Sequence, residues 1–155
     1  MKIVTEGDFN YDYYDFVSIN SDNYFIHKKG GLVYKLVNDT IKRLDKSFNH
    51  LMQTSASLFT YKSKINRYGG YGFWSDRDFI TYFDFDLLEW EVLSPENSKF
   101  FPIGSHDNLY QLTNDDVYFF NGTSINPNNR IKYYYYDKAW KYNFTSKKME
   151  ISRKH

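Results

Sequence analysis

Three segments of the chain begin with an aromatic residue and reach a large apolar residue seven positions later: Tyr34 to Ile41, Phe83 to Trp90 and Tyr142 to Met149. In an antiparallel hairpin that turns at the middle of such a segment, the first and eighth residues face each other as a cross-strand pair. The spacing therefore predicts three equivalent hairpins, with Phe83 packed on Trp90. The following residues also match, Glu91-Val92-Leu93 answering Glu150-Ile151-Ser152 and, less closely, Lys42-Arg43-Leu44. The offsets of 49 and 59 residues fall near the periods of roughly 20 to 50 that build solenoids and propellers.

Upstream of the hairpins, Ile65-Asn66-Arg67-Tyr68-Gly69-Gly70 aligns with Val117-Tyr118-Phe119-Phe120-Asn121-Gly122 at an offset of 52, and both end in residues that tolerate positive φ. Further back, Ser57-Leu58-Phe59-Thr60-Tyr61 answers Asn108-Leu109-Tyr110-Gln111-Leu112. A longer loop from Thr123 to Ile131, with Pro127 and three Asn, accounts for the growth of the offset from 52 to 59. Each copy thus reads as four short strands, in approximate repeats 10–46, 55–94 and 106–152 of a single repeat domain. No segment competes as a helix; the best, Thr40 to Leu51, is interrupted by Lys42, Arg43, Asp45 and Lys46. Aromatics make up 21% of the chain, with 16 Tyr and 14 Phe, and they favour a half-buried pleated surface. The expected class is all-β, about three four-stranded antiparallel units.

The middle copy carries a family resemblance. An apolar strand ending in Gly69-Gly70, then an aromatic residue at Phe83, Asp84 and finally Trp90 resembles the kelch motif, in which a double Gly ends the second strand, a Tyr lies on the third and a Trp on the fourth. Phe83 stands where the motif has Tyr, and the gap from Gly70 is longer than usual. The third copy keeps Asn121-Gly122 and Tyr142 but has Met149 for Trp. The first has Ile41, and its Gly30-Gly31 lies too close to Tyr34 to be the equivalent diglycine. The resemblance implies kelch-like β-propeller blades and a protein or carbohydrate partner held by loops between strands. Kelch-like propellers also include carbohydrate-active oxidases and sugar mutarotases, so an enzyme of that kind is the alternative, and a purely structural propeller segment a third reading. The copper oxidase chemistry of this family needs a Cys crosslinked to a Tyr, and the chain has no cysteine.

A blade is covered on both faces by its neighbours. The strand around Phe79 to Phe85 is apolar on both faces, through Phe79, Phe83 and Phe85 on one and Ile80 and Tyr82 on the other, whereas Lys35 and Lys141 fall on the second face of the outer copies, as suits the ends of a stack. Three blades do not close a ring of the usual ~4 to 8. The chain is therefore expected to be an incomplete propeller that packs against further blades of a longer protein, assembles as a homo-oligomer, or stays open.

Charge narrows the partners. Lys and Arg number 20 against 19 Asp and Glu, a formal net charge of +1, which supplies no broad field for nucleic acid or an anionic membrane. No apolar core of a signal peptide and no run near the roughly 18 apolar residues of a membrane span occurs in the sequence, so a soluble chain is expected, its compartment open.

Chemistry-bearing clusters are few. His27, His50, His106 and His155 have no metal-ligand spacing, and neither a metal nor a cofactor is expected. Asp76-Arg77-Asp78 and Asp115-Asp116 are read as solvated turns rather than paired catalytic carboxylates. Gly69-Gly70-Tyr71-Gly72 leads into more strand and is read as a turn, not a phosphate loop. The candidate ligand-binding residues are Tyr71, Phe73, Trp74 and Arg77, amphipathic aromatics and an Arg clustered in the loop after the diglycine, although the same aromatics could pad the core between blades. Tyr133-Tyr134-Tyr135-Tyr136 is a second aromatic run able to stack sugars. No catalytic residue is assigned, and the expected function is a non-catalytic binding module.

Overall fold

A computed structural model of the protein describes residues 9–47, 51–96, 104–126, 128–129, 132–135 and 138–152, together with the backbone of residues 4–5. His50, His155, Pro127, Ile131 and Tyr136 lie outside the described residues.

The fold is all-β, built around three antiparallel meanders. The first sheet contains β1 (Val4–Thr5), β2 (Tyr14–Ile19), β3 (Asp22–His27), β4 (Val33–Val37) and β5 (Thr40–Arg43), with β1 added parallel to β5 at one edge. The second contains β6 (Ser57–Tyr61) and β7 (Lys64–Tyr68); after the small hairpin of β8 (Tyr71–Gly72) and β9 (Ser75–Asp76) it is completed by β10 (Ile80–Asp84) and β11 (Glu89–Leu93). The third contains β12 (Leu109–Leu112) and β13 (Asp116–Phe120), then a separate hairpin of β14 (Thr123–Ile125) and β15 (Tyr133–Tyr135), and finally β16 (Ala139–Asn143) and β17 (Lys148–Ser152).

The registers test the repeat residue by residue. Phe83 faces Trp90, with ring centroids 5.5 Å apart, and Tyr142 faces Met149. Both hairpins turn through four residues closed by a side-chain acceptor: Asp84 Oδ1 accepts from the amides of Asp86 and Leu87, and Asn143 Oδ1 from that of Ser146. The first copy departs from the expected pairing. Asn38 and Asp39 (φ 48° and 61°) make a two-residue turn, so Ile41 pairs with Leu36, and Tyr34 pairs with Arg43. A turn two residues shorter moves the cross-strand partner by two. In the third copy, Leu109 rather than Asn108 is the counterpart of Ser57, since Ser57 faces Tyr68 and Leu109 faces Phe120. The alignment upstream of the hairpins is thus one residue off for that strand only.

The three sheets stack in one sense. Ile65 and Phe83 of the second sheet pack on Tyr24, Ile26 and Val33 of the first; Phe59, Tyr68 and Ile80, on its other face, pack on Val117, Phe119, Tyr142 and Met149 of the third. Val117 and Tyr142 occupy the repeat positions of Ile65 and Phe83, so the same face of each repeat meets the preceding sheet. The middle sheet is buried on both faces, and each of its fully buried large side chains contributes about 1.5–3 kcal/mol.

The two ends differ. On the third sheet Lys141 lies on the outward face and pairs with Glu150 at 2.7 Å. Lys35 does not do the same on the first sheet: it shares the inward face of Tyr24 and Val33, its ammonium 5.7 Å from the centre of the Tyr24 ring and 2.7 Å from Asp22. The outward face there is aromatic. Tyr14, Phe25 and Tyr34 carry it, and Phe9 covers it, stacked on Tyr14 at 4.0 Å. Alternation explains the correction, because Lys35 is two residues from Val33 and must point the same way.

Candidate functional site

Connectivity separates the two ends of the strands. At one end lie the tight turns β2–β3, β4–β5 and β6–β7, each of two residues with both φ positive. At the other lie the longer connections β3–β4, β5–β6, β7–β10, β11–β12 and β13–β16, with the two small hairpins. Loops held by a rigid scaffold are where binding residues concentrate.

All four residues singled out from the sequence sit on or beside the β8–β9 hairpin, in two different roles. Phe73 and Trp74 form its turn, at φ 47° and 67°, and are 67% and 74% exposed. They do not pad the core. Such a turn favours Asn and Gly, and each bulky residue held at positive φ costs about 1–2 kcal/mol. Tyr71 and Arg77 brace the base. Tyr71 bridges to Thr54, and Arg77 donates from Nη2 to the carbonyl of Gly72 at 2.8 Å and from its amide to that of Gly70 at 2.7 Å. The diglycine below is a crossing point and not the expected turn, since Tyr71-Gly72 form β8 and the chain turns at Phe73-Trp74: Gly69 and Gly70 (φ 68° and 95°) let two other connections cross the backbone, and a Cβ would fall 2.3 Å from the Ser105 carbonyl oxygen or 2.7 Å from Gln53. Asn121, the counterpart of Gly69, also has positive φ, 56°.

Beside this hairpin lies β14–β15, on which Tyr133, Tyr134 and Tyr135 are exposed. Asp76 ties the two together. Its carboxylate accepts from the Ile125 amide (2.6 Å) and Ser124 Oγ (3.1 Å), and is 2.6 Å from His106 Nδ1. The Asp76 side chain is 4% exposed, so it is a buried brace, not the solvated turn carboxylate its sequence context predicts. Its hydrogen bond raises the pKa of His106 above the usual value, against the opposing effect of burial. Ser, His and Asp meet here without forming a nucleophile relay, because Ser124 donates to the carboxylate and not to the imidazole. Asp115, by contrast, does lie in a turn, where it accepts from Tyr61 Oη at 2.8 Å.

Between the first and second sheets, at the same end, a cavity of about 490 Å³ is lined by Tyr13, Asp15, Lys28, Lys29, Arg67 and Asp107 among others. Burial raises the pKa of Asp15, an effect that Lys28 and Arg67 partly offset. Arg67 is 3% exposed, and burial lowers its pKa to about 10. A second cavity of about 480 Å³ runs along β2, β6 and the start of β12, where the edge strands of the three sheets converge.

Compared with models of known families and with curated protein sequences, the chain gives no match. The cavity and the Asp76 brace were not anticipated from the sequence. One signal was available for the first: Asn66 and Arg67 place two polar residues between Ile65 and Tyr68, in a strand set between two other copies of the repeat.

Proposed function

We propose that the chain is a non-catalytic binding module made of three kelch-like propeller blades, which meets a protein or carbohydrate partner at the end carrying the long connections. The Phe73-Trp74 turn carries this reading. Two large aromatics are held there in a backbone conformation that disfavours them, and they are exposed where burial would stabilise the fold. With Tyr133, Tyr134 and Tyr135 on the adjacent hairpin they offer five exposed rings on two strand pairs tied by Asp76. Aromatic side chains on rigid hairpins supply contact area at low entropic cost.

The blade reading is supported by the head-to-tail order of the three sheets and by the convergence of β2, β6 and β12 on one groove, as inner strands converge on a propeller axis. Further blades, from a longer chain or from other copies, would complete the ring. A glycan array and crosslinking capture, run with the wild type and with the Phe73→Ala/Trp74→Ala double variant, test the binding reading. The variant is expected to keep its circular dichroism spectrum and lose at least about tenfold in retention. Equal retention by both proteins, or none by the wild type, would sink it.

A further inference from the structure

We infer that the cavity between the first and second sheets is a binding site for a carboxylate-bearing small molecule, with the guanidinium of Arg67 as its ion-pairing group. The inference is independent of the aromatic hairpins.

Burial and pairing do not coincide among the cations of the described residues. Lys28, Lys35, Arg43, Lys62, Lys141 and Lys147, all more exposed, each have a carboxylate within 4.0 Å. Arg67 is the buried one, and among the described residues it has none. Its hydrogen bonds, to the carbonyls of Gln53 and Lys28, both leave from Nη2. Trp90 lies under the guanidinium with the ring 5.5 Å away, and Gly31 makes room for Nη1, since a Cβ there would sit 2.2 Å from it. The group is thus clamped on one side, and among the described residues no acceptor meets Nε or Nη1. A guanidinium does not shed its proton to escape burial, so a buried one calls for an anion.

Charge and size define that anion. Arg67, Lys28 and Lys29 line the cavity against Asp15 and Asp107, a surplus of one positive charge, which suits a monoanion better than dianionic phosphate. A planar carboxylate also matches the guanidinium fork. The volume is within the ~300–1,000 Å³ of small-molecule sites, so the carboxylate belongs to a larger body than acetate.

Acetate alone is still a sufficient probe of the anion position. The Arg67 Nε–H and Trp90 indole resonances of the ¹⁵N-labelled chain would be followed through additions of sodium acetate and, separately, sodium phosphate, at ionic strength held constant with sodium chloride. Acetate is expected to shift both resonances saturably, with half-effect near ~10 mM, and more tightly than phosphate. Asp15→Asn, which removes a carboxylate from the same cavity, is expected to tighten acetate binding by at least about threefold. Shifts no larger than those caused by chloride, stronger binding of phosphate, or an affinity unchanged in Asp15→Asn would each overturn the assignment.

Discussion

Arg67 and Phe119 occupy the same position in successive repeats: Arg67 faces Leu58 and Thr81, and Phe119 faces Tyr110 and Trp140, their repeat counterparts. Both point at the preceding sheet. Phe119 stacks on Tyr68 at 3.8 Å, and with Tyr61 stacked on Phe144 at 3.7 Å it helps close the second junction as an apolar core. Arg67 meets Gly31 and Trp90, and the first junction opens into the cavity. The repeat sets how sheets stack, whereas a single side chain at a repeated position sets whether a junction is filled or open.

The largest effect is expected where that contrast is tested directly. Phe119→Ala empties a fully buried position and should cost about 3–5 kcal/mol in urea unfolding. Arg67→Met keeps volume and removes the buried charge, so it should change stability by less than about 1 kcal/mol. If Arg67→Met costs as much as Phe119→Ala, the two positions do the same structural job and the comparison fails.

Next in size is the Asp76 brace on the loop side of the second junction. Asp76→Asn leaves His106, Ser124 and the Ile125 amide competing for one neutral acceptor, a loss of about 2 kcal/mol. The brace also sets a pH dependence. The pKa of His106 is raised in the fold, so its contribution is fully present below the unfolded value near 6.5 and is lost as pH rises through the folded value. His27, in the first sheet, runs the other way: burial, then Lys29 and Arg67, lower its pKa, so its contribution is lost as pH falls below about 6.5. Melting curves of His106→Gln and His27→Gln between pH 5 and 8, a window of about three units around the ordinary His value, should therefore lose opposite slopes of the wild-type profile. Equal profiles for the two variants would remove the electrostatic distinction between the junctions.

How far the sequence revealed this arrangement depends on what kind of information a residue carries. The hairpins of the second and third sheets were readable because an aromatic and an apolar residue seven positions apart survive in both, and Phe83–Trp90 and Tyr142–Met149 pair as that spacing requires. The first hairpin misled because its Asn38-Asp39 turn is two residues shorter than those of the other copies and β4 runs on to Val37, a choice of turn and not of hydrophobic pattern. Burial of the middle sheet was legible in the apolar character of both its faces. The face of Lys35 was not, since a long side chain can lie over an aromatic ring and still reach Asp22 at the margin of an inward face. Asp76 and His106 are thirty residues apart, and nothing in either neighbourhood announces the other. The Phe73-Trp74 cluster was visible by composition, but its exposure came only with the two-residue turn.

That turn yields the smallest stability effect and the most direct link between stability and binding. Phe73→Asn with Trp74→Gly supplies the residues that the two positive φ values favour and removes two exposed apolar side chains. The double variant should be more stable than the wild type by about 1 kcal/mol in urea unfolding, the relief of the two strained positions being offset in part by the freedom that Gly adds to the unfolded chain, while losing the partner retention assigned to the aromatic tip. Asn20-Ser21 and Asn38-Asp39 already hold Asn or Asp at the opposite end of the sheets, which makes them the internal control: Asn38→Phe/Asp39→Trp should destabilise by a similar amount without creating retention. A stabilised Phe73→Asn/Trp74→Gly variant that still binds would place recognition elsewhere on the loop end. A destabilised one would mean that Phe73 and Trp74 support the fold, and that their exposure is not what selects them.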